Sequence, residues 1–121
     1  MSWRALFHEA FVPEFRALER AVQNELAAHV RLLETFGPTL GRPRADTLKG
    51  SRHANMKELR FNAANGAWRV AYAFDPLRRA VILVAGDKAG GGERAFYRRL
   101  IRKADRRFDD HLSRLPGRRR S

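Results

Sequence analysis

The feature that most constrains this chain is a strict alternation over residues 68–75. Trp68, Val70, Tyr72 and Phe74 are large and apolar, and between them stand Arg69, Ala71, Ala73 and Asp75. Strand side chains point to opposite faces in turn, so a period of two predicts a strand with one well-packed face. Asn65-Gly66 precedes it, a dipeptide suited to a tight hairpin, and Asp75-Pro76-Leu77-Arg78 follows with the residues of a second turn. Upstream, Asn55 to Ala63 alternates as well, with Lys57, Leu59 and Phe61 on one face and Met56, Glu58 and Arg60 on the other. Downstream, Ala80 to Ala85 is apolar throughout, as suits a strand covered on both faces. Three strands joined by two short turns make an antiparallel meander.

The flanks read differently. Residues 3–8, Trp-Arg-Ala-Leu-Phe-His, are a short apolar-rich run that predicts a first strand, and Pro13 fits the first turn of a helix. Phe15, Leu18, Val22, Leu26, Val30 and Leu33 then recur at three- and four-residue intervals, which predicts an amphipathic helix or a helical hairpin ending at Gly37-Pro38. Gly37 to Gly50 holds three Gly and two Pro and reads as a loop. After a link at Ala89-Gly90-Gly91-Gly92, Glu93 opens a C-terminal helix, where its charge suits the helix dipole. Phe96, Leu100, Ala104, Phe108 and Leu112 form its apolar stripe, opposite Arg98, Arg99, Arg102, Lys103, Arg106 and Arg107. Gly117 and Arg118-Arg119-Arg120 read as a frayed tail. The expected fold is α+β, one domain over residues 1–121.

Charge narrows the partners. The chain carries 25 Lys+Arg against 13 Asp+Glu, yet residues 1–36 are net −1, so the basic surface belongs to residues 37–121. Arg, whose fork suits phosphate, supplies 21 of the 25 cations. Such asymmetry points to a polyanion such as nucleic acid.

Several chemistries are excluded at this level. With no Cys there is no disulfide scaffold, thiolate zinc site or cysteine nucleophile. His8, His29, His53 and His111 are scattered without ligand spacing, and Asp109-Asp110 are helix neighbours that point in different directions, so no metal site and no cofactor are expected. Gly90-Gly91-Gly92 lacks the Gly-Lys-Ser/Thr ending of a phosphate loop. The first fifteen residues lack the apolar core of a signal peptide, and Ala80 to Ala85 is too short to span a bilayer, so a soluble cytoplasmic protein is expected.

What remains is polar residues on the meander. Glu58 and Arg60 share a face of one strand, Arg69 stands on the next with room left by Ala71 and Ala73, and Lys88 follows the third. Each could be an ordinary solvated charge. Several cations beside one carboxylate also suit phosphodiester chemistry, because cations stabilise charge on phosphate oxygens while a carboxylate takes a proton.

At these residues the sequence resembles the RelE/HigB-like toxins, in particular their phage-related branch. The resemblance is carried by Leu48-Lys49-Gly50, Met56-Lys57-Glu58-Leu59-Arg60, Trp68-Arg69-Val70-Ala71-Tyr72, Ala85-Gly86-Asp87-Lys88-Ala89-Gly90 and Phe96-Tyr97, in that order over nearly the whole chain. It implies a RelE-like fold and a small toxin of a bacterial type II toxin–antitoxin module, a metal-independent endoribonuclease that cuts mRNA on the ribosome. It also implies a helix-turn-helix antitoxin as partner, with operator DNA reached only through that antitoxin. Carried over by position, Arg60 is a basic active-site residue, Arg69 and Lys88 hold the scissile phosphate, and Tyr97 stacks on or assists at the cleaved nucleotide. Glu58 stands near where relatives have a second Lys, which leaves the general base open between Glu58, Lys57 and His53. Lys49, Lys57, Arg98, Arg102, Arg106 and Arg107 are the candidates for gripping RNA. Two other readings share these residues: a ParE-like toxin that inhibits gyrase by binding, and a non-enzymatic RNA-binding module.

Overall fold

The computed structural model describes residues 3–117; Arg118, Arg119 and Arg120 of the expected tail lie outside them. The meander forms where alternation places it, as β3 (Lys57–Ala63), β4 (Gly66–Phe74) and β5 (Arg79–Asp87), paired antiparallel in that order. Its first turn is displaced by one residue from the Asn-Gly signal. Ala63 faces Gly66, and the bend consists of Ala64 and Asn65, with φ of 50° and 62°. Two-residue hairpins favour a turn with both central residues at positive φ, a conformation Asn tolerates and Ala does not.

The N-terminal run forms β1 (Arg4–Phe7), which lies parallel to β5 over Arg79–Ile82. The helical stretch resolves into two helices, α1 (Phe11–Arg16) and α2 (Arg20–Phe36), separated where Glu19 turns extended (φ −59°, ψ 150°). The Gln23 amide donates to Phe15 O at 2.8 Å and ties the two together. The expected loop 37–50 is only partly one: Ala45–Thr47 forms a further strand, β2, antiparallel to β3. The sheet thus has five strands in the order β1-β5-β4-β3-β2. β5 lies between β1 and β4 over Arg79–Ile82 and is covered on both faces, which accounts for its apolar run.

Each sheet face carries its own core. Leu59, Phe61, Val70, Tyr72 and Ile82 pack against Val22, Leu26 and Leu33 of α2 and Phe11 of α1. The other face, with Ala71, Ala73, Val81 and Leu83, is covered by Phe96, Leu100, Ala104 and Phe108 of α3 (Glu93–Ser113). Burying one such Leu or Phe contributes roughly 1.5–3 kcal/mol, so both helical layers are firmly held. Gly86 lets α3 approach closely, since a Cβ there would stand 2.8 Å from the Phe96 ring.

Carboxylates and cations latch the second half of α3. His8 bonds to Asp110 at 2.9 Å and His111 to Asp75 at 2.8 Å. His53 and Arg52 both reach Asp109, so the neighbouring Asp109 and Asp110 serve opposite sides of the helix. Arg107 corrects the sequence reading: its guanidinium holds the Glu14 carboxylate and donates to Leu83 O at 2.7 Å, so it ties α3 to α1 and β5 and is not free to grip RNA. Among the described residues no helix is long and apolar enough to cross a membrane.

Candidate active site

Register places the polar residues of the meander on one face. Arg60 lies opposite Arg69 and Glu58 opposite Ala71, and directly opposed residues project to the same side. That side is the α3 side, since Ala71 belongs to the core beneath α3. The first turns of α3 bring Tyr97 down onto it. The Tyr97 hydroxyl donates to Glu58 Oε1 at 2.9 Å and accepts from Arg69 Nε at 3.2 Å, so one phenol links the carboxylate and the guanidinium. Arg69 also donates from a terminal nitrogen to Trp68 O at 2.9 Å, which fixes the fork against its own strand.

Glu58 and Arg69 are 4% and 7% exposed, an unusual depth for charged groups. Burial raises the Glu58 carboxyl above its ordinary value, although the Tyr97 hydrogen bond, Arg60 and Arg69 pull the other way. Burial and then the Glu58 carboxylate likewise raise Tyr97, so its phenol stays protonated at neutral pH. The site therefore pairs a proton acceptor whose affinity for a proton is above the usual carboxylate range with a nearby protonated acid.

Arg60 stands at the rim. Its guanidinium is 3.7 Å from Glu58 and 3.6 Å from Asp46 of β2, and Asp46 also accepts from Arg42 Nε at 2.9 Å. The Arg42 hydrogen bond, with that of Thr47 N–H, lowers the Asp46 carboxyl below its ordinary value. Asp46 and Arg42 are the residues that sequence reasoning missed, because β2 is hidden in a segment rich in Gly and Pro.

The other candidates divide by place. Lys88 follows β5 and shares the face by alternation, but Nζ is paired with Glu93 Oε1 at 3.4 Å, outside the hydrogen-bonded group. Asp87 positions it: Oδ1 accepts from Ala67 N–H and Ala89 N–H, and a Cβ on Gly66 would collide with that carboxylate at 2.5 Å. Lys57 opposes Tyr72 and so lies on the far face, toward α2. His53 is engaged with Asp109 and packs edge-on to Phe108. Of the three candidate bases, only Glu58 lies in the cluster. Lys49 is exposed, in a segment whose next residues meet the flank of α3 that carries Tyr97, one and two turns further along: Gly50 abuts Ile101 and Ser51 donates to Asp105. Arg98 is exposed next to Tyr97, whereas Arg102 and Arg106 line a groove along β5 on the other side of the helix. Among the described residues no three His, Asp or Glu side chains come together to hold a metal ion.

Comparison with known proteins shows the family and the fold. The profile described as "Phage derived protein Gp49-like (DUF891)" matches residues 13–109. Two Mycobacterium tuberculosis H37Rv proteins are each 43% identical: putative toxin HigB2 over 97 residues and putative toxin HigB3 over 99 residues. These cover 79% and 82% of the chain; the chain spans about half of HigB2 (48%) and 84% of HigB3. The free structure of an E. coli RelE toxin double mutant superposes with a TM-score of 0.60 over 85% of this chain and 97% of that one, at 15% identity, and shows the fold to be RelE-like. By profile and by sequence identity, this chain belongs to the phage-derived Gp49-like family of RelE/HigB-type toxins.

Proposed function

We propose that the chain is the toxin of a type II toxin–antitoxin module and that it acts as an endoribonuclease on mRNA held by the ribosome, without a metal. The observation that supports this reading is the Tyr97 hydroxyl bridging Glu58 and Arg69, a carboxylate, a phenol and a guanidinium side by side that suit the roles of base, acid and phosphate ligand.

The chemistry follows from that arrangement. Glu58 takes the proton of a ribose 2′-hydroxyl, whose oxygen attacks the adjacent phosphorus. The P–O5′ bond breaks, the Tyr97 phenol supplies the proton that the leaving 5′-oxygen needs, and the proton taken up by Glu58 passes back along their hydrogen bond to restore the phenol. Products are a 2′,3′-cyclic phosphate and a 5′-hydroxyl. Arg69, fixed before substrate arrives, stabilises the charge that grows on the phosphate oxygens, and Arg60 faces it from the adjacent strand. Lys88, released from Glu93 by the RNA backbone, adds a second phosphate contact, while Lys49 and Arg98 hold flanking phosphates. A helix-turn-helix antitoxin restrains the chain in the cell.

Induction of the chain, followed by mapping of mRNA ends on purified ribosomes in excess chelator, tests this. Discrete cuts with cyclic-phosphate ends support it. Inhibited gyrase without mRNA cuts would replace it with the ParE-like reading, and RNA binding without cuts with the non-enzymatic one.

A further inference from the structure

The last part of β5 is a free strand edge. β1 covers only Arg79–Ile82, and its ladder closes where His8 N–H donates to Ile82 O and Arg107 occupies Leu83 O. Beyond that point, among the described residues, Val84–Asp87 pair with β4 alone. Lys88 N–H donates to Ala67 O, and the alternation of an antiparallel ladder then aims Val84 and Gly86 at β4 and turns the N–H and C=O groups of Ala85 and Asp87 outward.

This edge opens on a groove of about 520 Å³ between β5 and α3. Phe96 and Leu100 form its apolar part, and Arg99, Arg102, Lys103 and Arg106 form its wall. Among the described residues none of these four cations has a carboxylate within ion-pair distance, whereas Arg52, Arg60, Arg79 and Arg107 all do. The groove is also separate from the Glu58 site. Tyr97, Ile101 and Asp105, four residues apart, face that site and the loop beside it, while Arg99, Lys103 and Arg107 face β5.

We propose that this groove docks an extended acidic segment of a protein partner, which adds to β5 as a sixth strand. The inference rests on the reading that a protein restrains the chain. A strand edge offers donors and acceptors in alternation, and a polypeptide in extended form returns both, at two-residue spacing. An RNA backbone presents phosphate acceptors and one 2′-hydroxyl per nucleotide, without the paired N–H and C=O groups of a strand, so it satisfies the cationic wall and leaves the edge ladder unmet. Every second side chain of an added strand faces α3, where acidic residues meet the four unpaired cations. Unpaired edges are ordinarily blunted or covered, and covering this one joins main-chain pairing to charge attraction.

The test uses the full chain and three probes: an acetylated, amidated octapeptide alternating Glu and Val, its Lys-Val counterpart, and a single-stranded octaribonucleotide. The Glu-Val peptide is expected to slow hydrogen exchange at the Ala85 and Asp87 amides, and the Lys-Val peptide to leave them unchanged. Ala85→Pro, which removes only an outward N–H and is tolerated at a strand edge, should abolish that protection. Arg99→Glu combined with Lys103→Glu should weaken the peptide at least tenfold and stands if the proline variant does not fold. Protection of these amides by the RNA, failure of the Glu-Val peptide to bind, or equal binding to the parent and the charge-reversed variant overturns the proposal. Cleavage of ribosome-bound mRNA is measured on the same proteins and should be unchanged. Absence of cleavage in the parent chain counts against the nuclease alone, and intact cleavage without peptide binding counts against the groove alone.

Discussion

Arg60 and Arg69 are direct partners across the β3–β4 ladder. Like charges so placed repel, and Glu58, two residues from Arg60 on the same face, offsets them together with Asp46 of β2 beside Arg60. Glu58→Gln keeps the hydrogen-bonding shape and removes the charge, so cleavage should fall about 10²- to 10⁴-fold, the range for loss of a positioned base. The pH dependence has a definite sign. Because the Glu58 carboxyl is raised above 4.5 by burial, its protonated form is favoured in the folded state. Its contribution to stability is full below 4.5 and is lost as pH rises through the raised folded value. Cleavage should rise over that same window. Urea unfolding and single-turnover rates in a pH series should show both trends in the parent, and neither in Glu58→Gln.

Arg107 and Arg98 lie on the same helix, and their replacement should have opposite consequences. Arg107→Ala removes a charge-assisted pair with Glu14 and a bond to Leu83 O, and should lower stability by about 1.5–3 kcal/mol. The Arg107 hydrogen bond holds the Glu14 carboxyl below 4.5, so that contribution is present above 4.5 and disappears as pH falls through the lowered folded value. Arg98→Ala should leave the urea midpoint in place, weaken RNA binding, and reduce the slope of log affinity against log salt by about one. Equilibrium unfolding and salt-dependent RNA titration separate the two.

Asp75 closes the β4–β5 turn. With a fully buried side chain it accepts from Leu77 N–H and Arg79 N–H, from the Arg79 guanidinium and from His111. Burial acts to raise this carboxyl, but the donors outweigh it and hold it below 3.8. Asp75→Ala strands these donors and should cost about 3 kcal/mol or more in urea unfolding, with cleavage unchanged below the melting transition. The parent should lose this stability as pH falls through the lowered value, a limb that Asp75→Asn lacks.

Ala64 occupies a left-handed position in the β3–β4 turn, at φ 50°. Ala64→Gly removes that strain and should raise stability by about 0.5–1 kcal/mol, net of the entropy glycine adds to the unfolded chain, with no effect on cleavage. A higher urea midpoint at unchanged slope is the expected result.

These residues also show what the sequence makes legible. Alternation exposed β3, β4 and β5, and with them the shared face of Glu58 and Arg60, because strand periodicity is a local property. The four-residue rhythm exposed α3. β2 escaped because its three residues gain their structure from pairing with β3 and stand amid Gly and Pro. The Tyr97–Glu58 bond joins positions 39 residues apart, and the Arg107–Glu14 bond positions 93 apart, so no local pattern encodes either. Arg107 looked like its Arg neighbours because periodicity places a residue on a helix face without telling what waits opposite. The turn at Ala64-Asn65 was displaced because cross-strand register, fixed by Phe61 opposite Trp68 and Leu59 opposite Val70, set where the bend falls.

The central claim is that Arg69 and Tyr97 belong to a reacting centre and not to a diffuse basic surface. Its most direct test is single-turnover cleavage of ribosome-bound mRNA in excess chelator by the parent, Arg69→Ala and Tyr97→Phe, with thermal melts to confirm folding. Arg69→Ala removes one preorganised donor and should slow cleavage about 10²-fold or more at saturating enzyme, while affinity for RNA falls less than tenfold. Tyr97→Phe should slow cleavage comparably with affinity preserved. Folded variants that cleave at the parent rate once saturated would contradict the account and leave Arg69 and Tyr97 as parts of a binding surface.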